Sequence, residues 1–287
     1  MTGAEEFMTP IGPPAEQQRG GPGEATRDEI SERSYGRLVT RIYPSAAALG
    51  AAAAADFAEA VRDALQTRDD IGVIFASASS QLPFLGALRT RRDIAWDRIH
   101  VLHMDEYLGM RADHPASFRR FLDEQLIRWV NPASFRELRG DSPSPRAEIA
   151  RYSTILRELD PAICVLGIGE NGHLAFNDPP ADFATDDLVH LVTLDDDCRR
   201  QQWSEGHFPR LDDVPGQALS LTIRALLNPG RLFCIVPEGR KAAAVRAALE
   251  GPVSPTCPAS ILRSAASACL YLDPDSAALL SPVRPLR

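Results

Sequence analysis

The chain has 287 residues, 44% of them hydrophobic, and a formal net charge of −8. That supplies the core of one large α/β domain or two small ones. The acidic balance argues against nucleic acid as a partner, since that contact relies on clustered Lys and Arg; a few local cations can still hold a small anion. The cysteines at 164, 198, 234, 257 and 269 show neither zinc spacing nor a redox pair, which reads as reduced core thiols. No apolar run nears the ~20 residues of a membrane span, and the N-terminus lacks the basic-then-apolar order of a secretion signal. A soluble, cytoplasmic protein is expected, with neither nucleic acid nor membrane as a partner.

Residues 1–32 are rich in Pro, Gly, Glu and Gln and are expected as a disordered tail. Arg37 to Tyr43 predicts a first strand. Ser45 offers an N-cap before a helix from Ala46 to Gln66. Ile71 to Phe75 predicts a buried strand, followed by a serine-rich turn and a helix from Pro83 to about Arg89. Ile99 to His103 is the next strand, with Met104 to Gly109 at its exit. A helix runs from about His114 through Trp129, and another from Pro145 to Leu159. Ala162 to Val165 predicts a central strand, Leu188 to Leu194 another, and Leu219 to Leu227 a short helix. Arg231 to Val236 predicts a strand, Gly239 to Leu249 a helix closed by Gly251, and Ala268 to Leu272 the last strand. This alternation implies an α/β fold: a single Rossmann-like domain over 33–287, its mostly parallel sheet covered by helices on both faces.

After the central strand the chain breaks into glycines at 167, 169 and 172, with Glu170, Asn171, His173, Asn177 and Asp178 in the same turn. In an open α/β sheet, ligands bind beyond the carboxyl ends of the strands. Asp105 and Glu106 leave their strand on opposite faces, so one can meet a ligand while the other turns inward. A carboxylate there suits removal of a proton next to a carbonyl. A bend at Asn177-Asp178-Pro179 can bring Asp178 onto His173, fixing its tautomer and raising its basicity. Ser77, Ser79 and Ser80 offer hydroxyls and backbone N–H groups at a helix start. Arg199 and Lys241 are candidate phosphate clamps, although either alone reads as a solvated cation.

Taken together, these segments resemble the glucosamine-6-phosphate deaminase/isomerase family, whose fold is shared with 6-phosphogluconolactonases. The resemblance rests on Met104-Asp105-Glu106-Tyr107-Leu108-Gly109, on Asp113 to Phe118 and on Gly167 to Pro179; Ala218 to Thr222, Gly239 to Ala242 and Pro258 to Leu262 add weaker matches. It implies aldose–ketose isomerisation coupled to loss of ammonia from an amino-sugar phosphate, without metal or cofactor. On that resemblance Asp105 moves the proton between C1 and C2 and His173 assists ring opening, oriented by Asp178 where the family usually has glutamate. Arg199 and Lys241 hold the phosphate, Ser77, Ala78, Ser79 and Ser80 form the substrate loop, and Glu106 and Gly172 complete the substrate contacts. Asn171 stands where the family usually has aspartate; an amide cannot exchange protons but can hold the same hydrogen bonds. A lactonase-type hydrolase and a non-catalytic sugar-phosphate sensor are the alternative readings. Relatives occur as monomers and as hexamers, so a homo-oligomer stays open.

Overall fold

The computed structural model describes residues 31–282 except 205 and 207. Residues 1–30 of the expected tail therefore lie outside the described residues. Ser31 and Glu32 do not belong to a tail: they open β1 (Ser31–Tyr35), which turns at Gly36 and pairs antiparallel with β2 (Leu38–Ile42). Helix α1 (Ala46–Ala64) follows, and its N-cap is Ser45, whose Oγ accepts from the Ala48 N–H at 3.2 Å. Then come β3 (Ile71–Phe75), a single 3₁₀ turn, α2 (Leu82–Thr90), β4 (Ile99–His103) and β5 (Asp105–Tyr107).

Ser117 caps α3 (Phe118–Leu122), which passes through a π-helical turn into α4 (Arg128–Val130). The chain continues through β6 (Ser134–Arg136), α5 (Pro145–Leu159), β7 (Ile163–Leu166), β8 (Val189–Thr193) and α6 (Asp196–Ser204). It ends with β9 (Gln217–Leu221), α7 (Ile223–Leu227), β10 (Arg231–Val236), α8 (Ala242–Glu250) and β11 (Ala268–Leu272).

Among the described residues the strands form two sheets. The larger has the order β1-β2-β11-β10-β7-β3-β4-β6, and all its pairings except β1 with β2 are parallel. Alternation along its central strands feeds two cores. Val73, Phe75, Ile163 and Val165 face α1 and α2, where Phe57, Phe84, Trp96 and Phe233 cluster. Ile74, Cys164 and Leu166 face α5, α7 and α8, meeting Tyr152, Leu226 and Val245. Side chains alternate across a strand and both faces are covered, so these strands read as continuous apolar runs. The α/β architecture with helices on both faces is the expected one. Among the described residues no helix is long and apolar enough to cross a membrane.

The smaller sheet, β5-β9-β8, is antiparallel and was not expected. Three-residue β5 leaves β4 after Met104 alone, too short for any periodicity to register. Residues 219–227, expected as one helix, divide into the end of β9 and the short helix α7, which Thr222 caps by accepting from Ala225 N–H. Ala218, Leu219, Ser220 and Leu221 are all buried, so the period-2 signal of a half-exposed strand is missing there. Tertiary pairing decides this segment.

Candidate active site

The carboxyl ends of β3, β4, β7 and β10 surround a cleft. It is lined by Ser77, Ala78 and Ser80 after β3, Met104 and Asp105 after β4, Gly167 to Gly169, His173, Ala175 and Phe176 after β7, and Arg240 and Lys241 after β10; Phe118, Gln201 and Gln202 close it. A larger groove opens at the amino ends of β10 and β11, beside α1. There Arg41 pairs with Glu32 and Asp56 at 2.8 Å each, and the Tyr271 hydroxyl donates to Asp56 at 2.7 Å. The first cleft lies where the strand ends converge, the position at which open α/β sheets bind ligands.

Asp105 enters the cleft from β5, paired with Ser220 of β9. Burial, reinforced by the Glu106 carboxylate next in sequence, pushes its pKa up to about 8. Its backbone carbonyl accepts from His103 Nδ1 at 2.9 Å, while His103 Nε2 accepts from the Leu138 N–H at 2.9 Å. Those two partners assign the proton of His103 to Nδ1. Burial holds its pKa down to about 3, so His103 is a neutral strut under the Asp105 backbone.

Glu106 departs from the expected role. Its side chain is fully buried, away from the cleft, and accepts from the Ser117 hydroxyl (2.7 Å), the Tyr107, Phe118 and Arg119 N–H groups and Arg119 Nε. Strand alternation turns it under the start of α3, where it satisfies donors that the helix cannot. Glu106 is thus a structural anchor, not a substrate contact. Glu106→Ala is expected to cost roughly 1–3 kcal/mol, because the Ser117 hydroxyl and the N–H groups at the start of α3 lose their buried acceptor, while Arg119 keeps Asp141 at 3.0 Å. Urea unfolding tests this; a loss below about 1 kcal/mol contradicts it.

The turn after β7 seats the imidazole. A Cβ at Gly169 would lie 2.2 Å from His173 Cε1 and Nε2, so only glycine leaves room for the ring there. Gly172 adopts φ +88°, a conformation suited to glycine, and its N–H donates to the Gly169 carbonyl at 3.0 Å. Gly172 shapes this turn and does not line the cleft. His173 Nδ1 lies 3.1 Å from Asp178 Oδ1, although off the ideal N–H direction. The same oxygen accepts from Asn171 Nδ2 at 2.9 Å, and Asn171 Oδ1 accepts from the His173 N–H at 2.9 Å. Burial disfavours ionisation of Asp178, but His173, Asn171 and Cys198 outweigh it and hold the pKa below the ordinary value. Asn171 and Asp178 thus stand behind His173, outside the cleft. An aspartate at 171 would face Asp178 with two acceptors, whereas the amide complements it.

Two more expected contacts are displaced. Arg199 points away: its Nη2 and Nε donate to the carbonyls of Leu211 (3.1 Å) and Val214 (3.3 Å). Those carbonyls lie in the loop after α6 and draw the guanidinium from the cleft. Ser79 starts the 3₁₀ turn and does not line the cleft, unlike Ser77, Ala78 and Ser80. Sequence reasoning missed Gln201, Gln202 and Arg240. Gln202 is buried against Tyr107, whose hydroxyl donates to its Oε1 at 2.5 Å. The Gln201-Gln202 pair was legible only as polar residues in a helix, since a neutral amide carries no spacing rule.

A sequence profile of the family described as glucosamine-6-phosphate isomerases/6-phosphogluconolactonase matches residues 44–271. The chain belongs to this family. It is 35% identical over 212 residues to a glucosamine-6-phosphate deaminase of Exiguobacterium sibiricum, an alignment covering 73% of this chain and 82% of that one. Among solved structures it resembles a monomeric glucosamine-6-phosphate deaminase with a TM-score of 0.77 and 26% identity, covering 85% of this chain and 99% of the other. A 6-phosphogluconolactonase from Thermotoga maritima shares the fold with a TM-score of 0.67 at 18% identity, covering 82% and 99%. Family membership agrees with the order of the motifs along the chain, from the β4 exit through the turn after β7 to the start of α8.

Proposed function

We propose that the protein is an enzyme that converts glucosamine 6-phosphate, or a close amino-sugar phosphate, to the ketose phosphate with release of ammonia. One observation carries this reading: a buried carboxyl with its pKa raised to about 8, Asp105, shares one cleft with His173 and Lys241. A base with a pKa near neutrality is matched to removing and returning a proton beside a carbonyl. In this reading His173, held through Nδ1 by Asp178, moves the proton that opens the sugar ring. Asp105 then takes the proton from C2 and delivers it to C1. The resulting imine at C2 adds water and expels ammonia, leaving the ketone. Lys241 and the Ser77–Ser80 turn hold the phosphate end. The described residues from Ser31 onward act as one domain, because the cleft draws on both sheets.

The test is an assay of purified protein with glucosamine 6-phosphate, scoring ammonia and fructose 6-phosphate together. Equal amounts of the two products are expected. Hydrolysis of 6-phosphogluconolactone with no ammonia from the amino sugar would replace this reading with the lactonase one.

A further inference from the structure

With Arg199 committed to the Leu211 and Val214 carbonyls, the cleft has lost one of its two expected cations. A different guanidinium lines it. Arg240, next to Lys241 at the start of α8, is held by the Glu170 carboxylate at Nη1 (2.9 Å) and by Glu238 at Nε (2.5 Å). Both carboxylates are 40% exposed, so water screens these pairs and each contributes little. Glu238 has φ +85°, and its N–H is fastened to the Asp273 carboxylate at 3.1 Å. A non-glycine residue pinned in that region stores strain of the kind that gathers at ligand sites. The same cleft is lined by Ser77, 8% exposed, whose hydroxyl has no hydrogen-bond partner among the described residues. A buried hydroxyl left unmatched is costly, and a ligand oxygen would satisfy it.

We propose that Arg240, together with Lys241 and Ser77, binds the phosphate of the substrate, and that Glu170 is the carboxylate Arg240 exchanges for it. This rests on reading the cleft as a phosphosugar site. The guanidinium fork matches a phosphate better than it matches one half-exposed carboxylate, because the phosphate carries more charge and accepts two parallel bonds. Glu170 therefore competes with the ligand. Removing its charge tightens binding, and removing Arg240 weakens it.

The test is calorimetric titration with glucitol 6-phosphate, an open-chain phosphosugar with no carbonyl to isomerise, on the full-length protein and its variants. Arg240→Ala is expected to weaken binding by about fivefold or more. Glu170→Gln is expected to bind at least as tightly as the wild type. Should Arg240→Ala not fold, Arg240→Gln is read on the same scale. A smaller loss on removing Arg240, a weakening in Glu170→Gln, or no binding by the wild type overturns the proposal. The functional reading is judged separately, by ammonia release: a wild type that binds the hexitol phosphate through Arg240 yet releases no ammonia sinks that reading alone.

Discussion

Replacing Asp105 by asparagine is expected to cut turnover of glucosamine 6-phosphate by roughly 10²–10⁴-fold while making the protein more stable. The two effects share one cause. Asp105 is buried beside Glu106, which pushes its pKa up to about 8 from an ordinary value of 3.8. Below about pH 4 the carboxyl is protonated in both folded and unfolded chains and adds no penalty. Between about 4 and 8 the folded state must keep a proton that the unfolded state has released, so stability falls as pH rises, by at most about 1.4 kcal/mol per unit. Above about 8 the cost is constant. Asparagine carries no such burden, so Asp105→Asn should melt higher than the wild type, with a gap that widens from pH 5 to pH 8. Melting curves at the two pH values check this; an equal gap would mean that Asp105 titrates normally. In the wild type, kcat/KM should rise with pH through about 8, as the base loses its proton.

Gly169→Ala should lower kcat/KM by roughly 10²-fold although it adds only a methyl group and removes no polar one. The added methyl would lie 2.2 Å from the His173 ring, far inside contact distance, so the ring, which sits 3.1 Å from Asp178 on its other nitrogen, must shift. A displaced ring loses its aim at the substrate. The test is a double-mutant cycle with His173→Ala. If glycine acts only by seating the imidazole, Gly169→Ala should change little once the ring is gone. Full additivity of the two losses would show that glycine serves something other than His173.

Much of this fold was legible because a parallel sheet buried on both faces writes itself as short apolar runs between helical patterns. Strands β3, β4, β10 and β11 and helix α5 occupy the expected residues. The smaller sheet was not legible: β5 is three residues long and β9 is buried on both faces, so neither carries a period. Of the residues that line the cleft, Asp105 and His173 stood out through a strand end and the glycine turn, and Lys241 only as a cation near a helix start. Glu106 and Arg199 misled because charge marks a residue as a candidate without saying where it points. Alternation sent Glu106 to the α3 cap, and the loop after α6 captured Arg199. Asn171 was read correctly as a hydrogen-bonding group, but its partner, the Asp178 oxygen that also faces His173, follows from folded geometry alone.

The central claim is that Asp105 carries one proton from C2 to C1 of an amino-sugar phosphate. Turnover in H2O of glucosamine 6-phosphate deuterated at C2, with the product examined by NMR, tests it most directly. Deuterium should appear at C1 of the fructose 6-phosphate made by the wild type, and Asp105→Asn should form labelled product at least about 100-fold more slowly. Labelled product from Asp105→Asn at an undiminished rate would contradict the account.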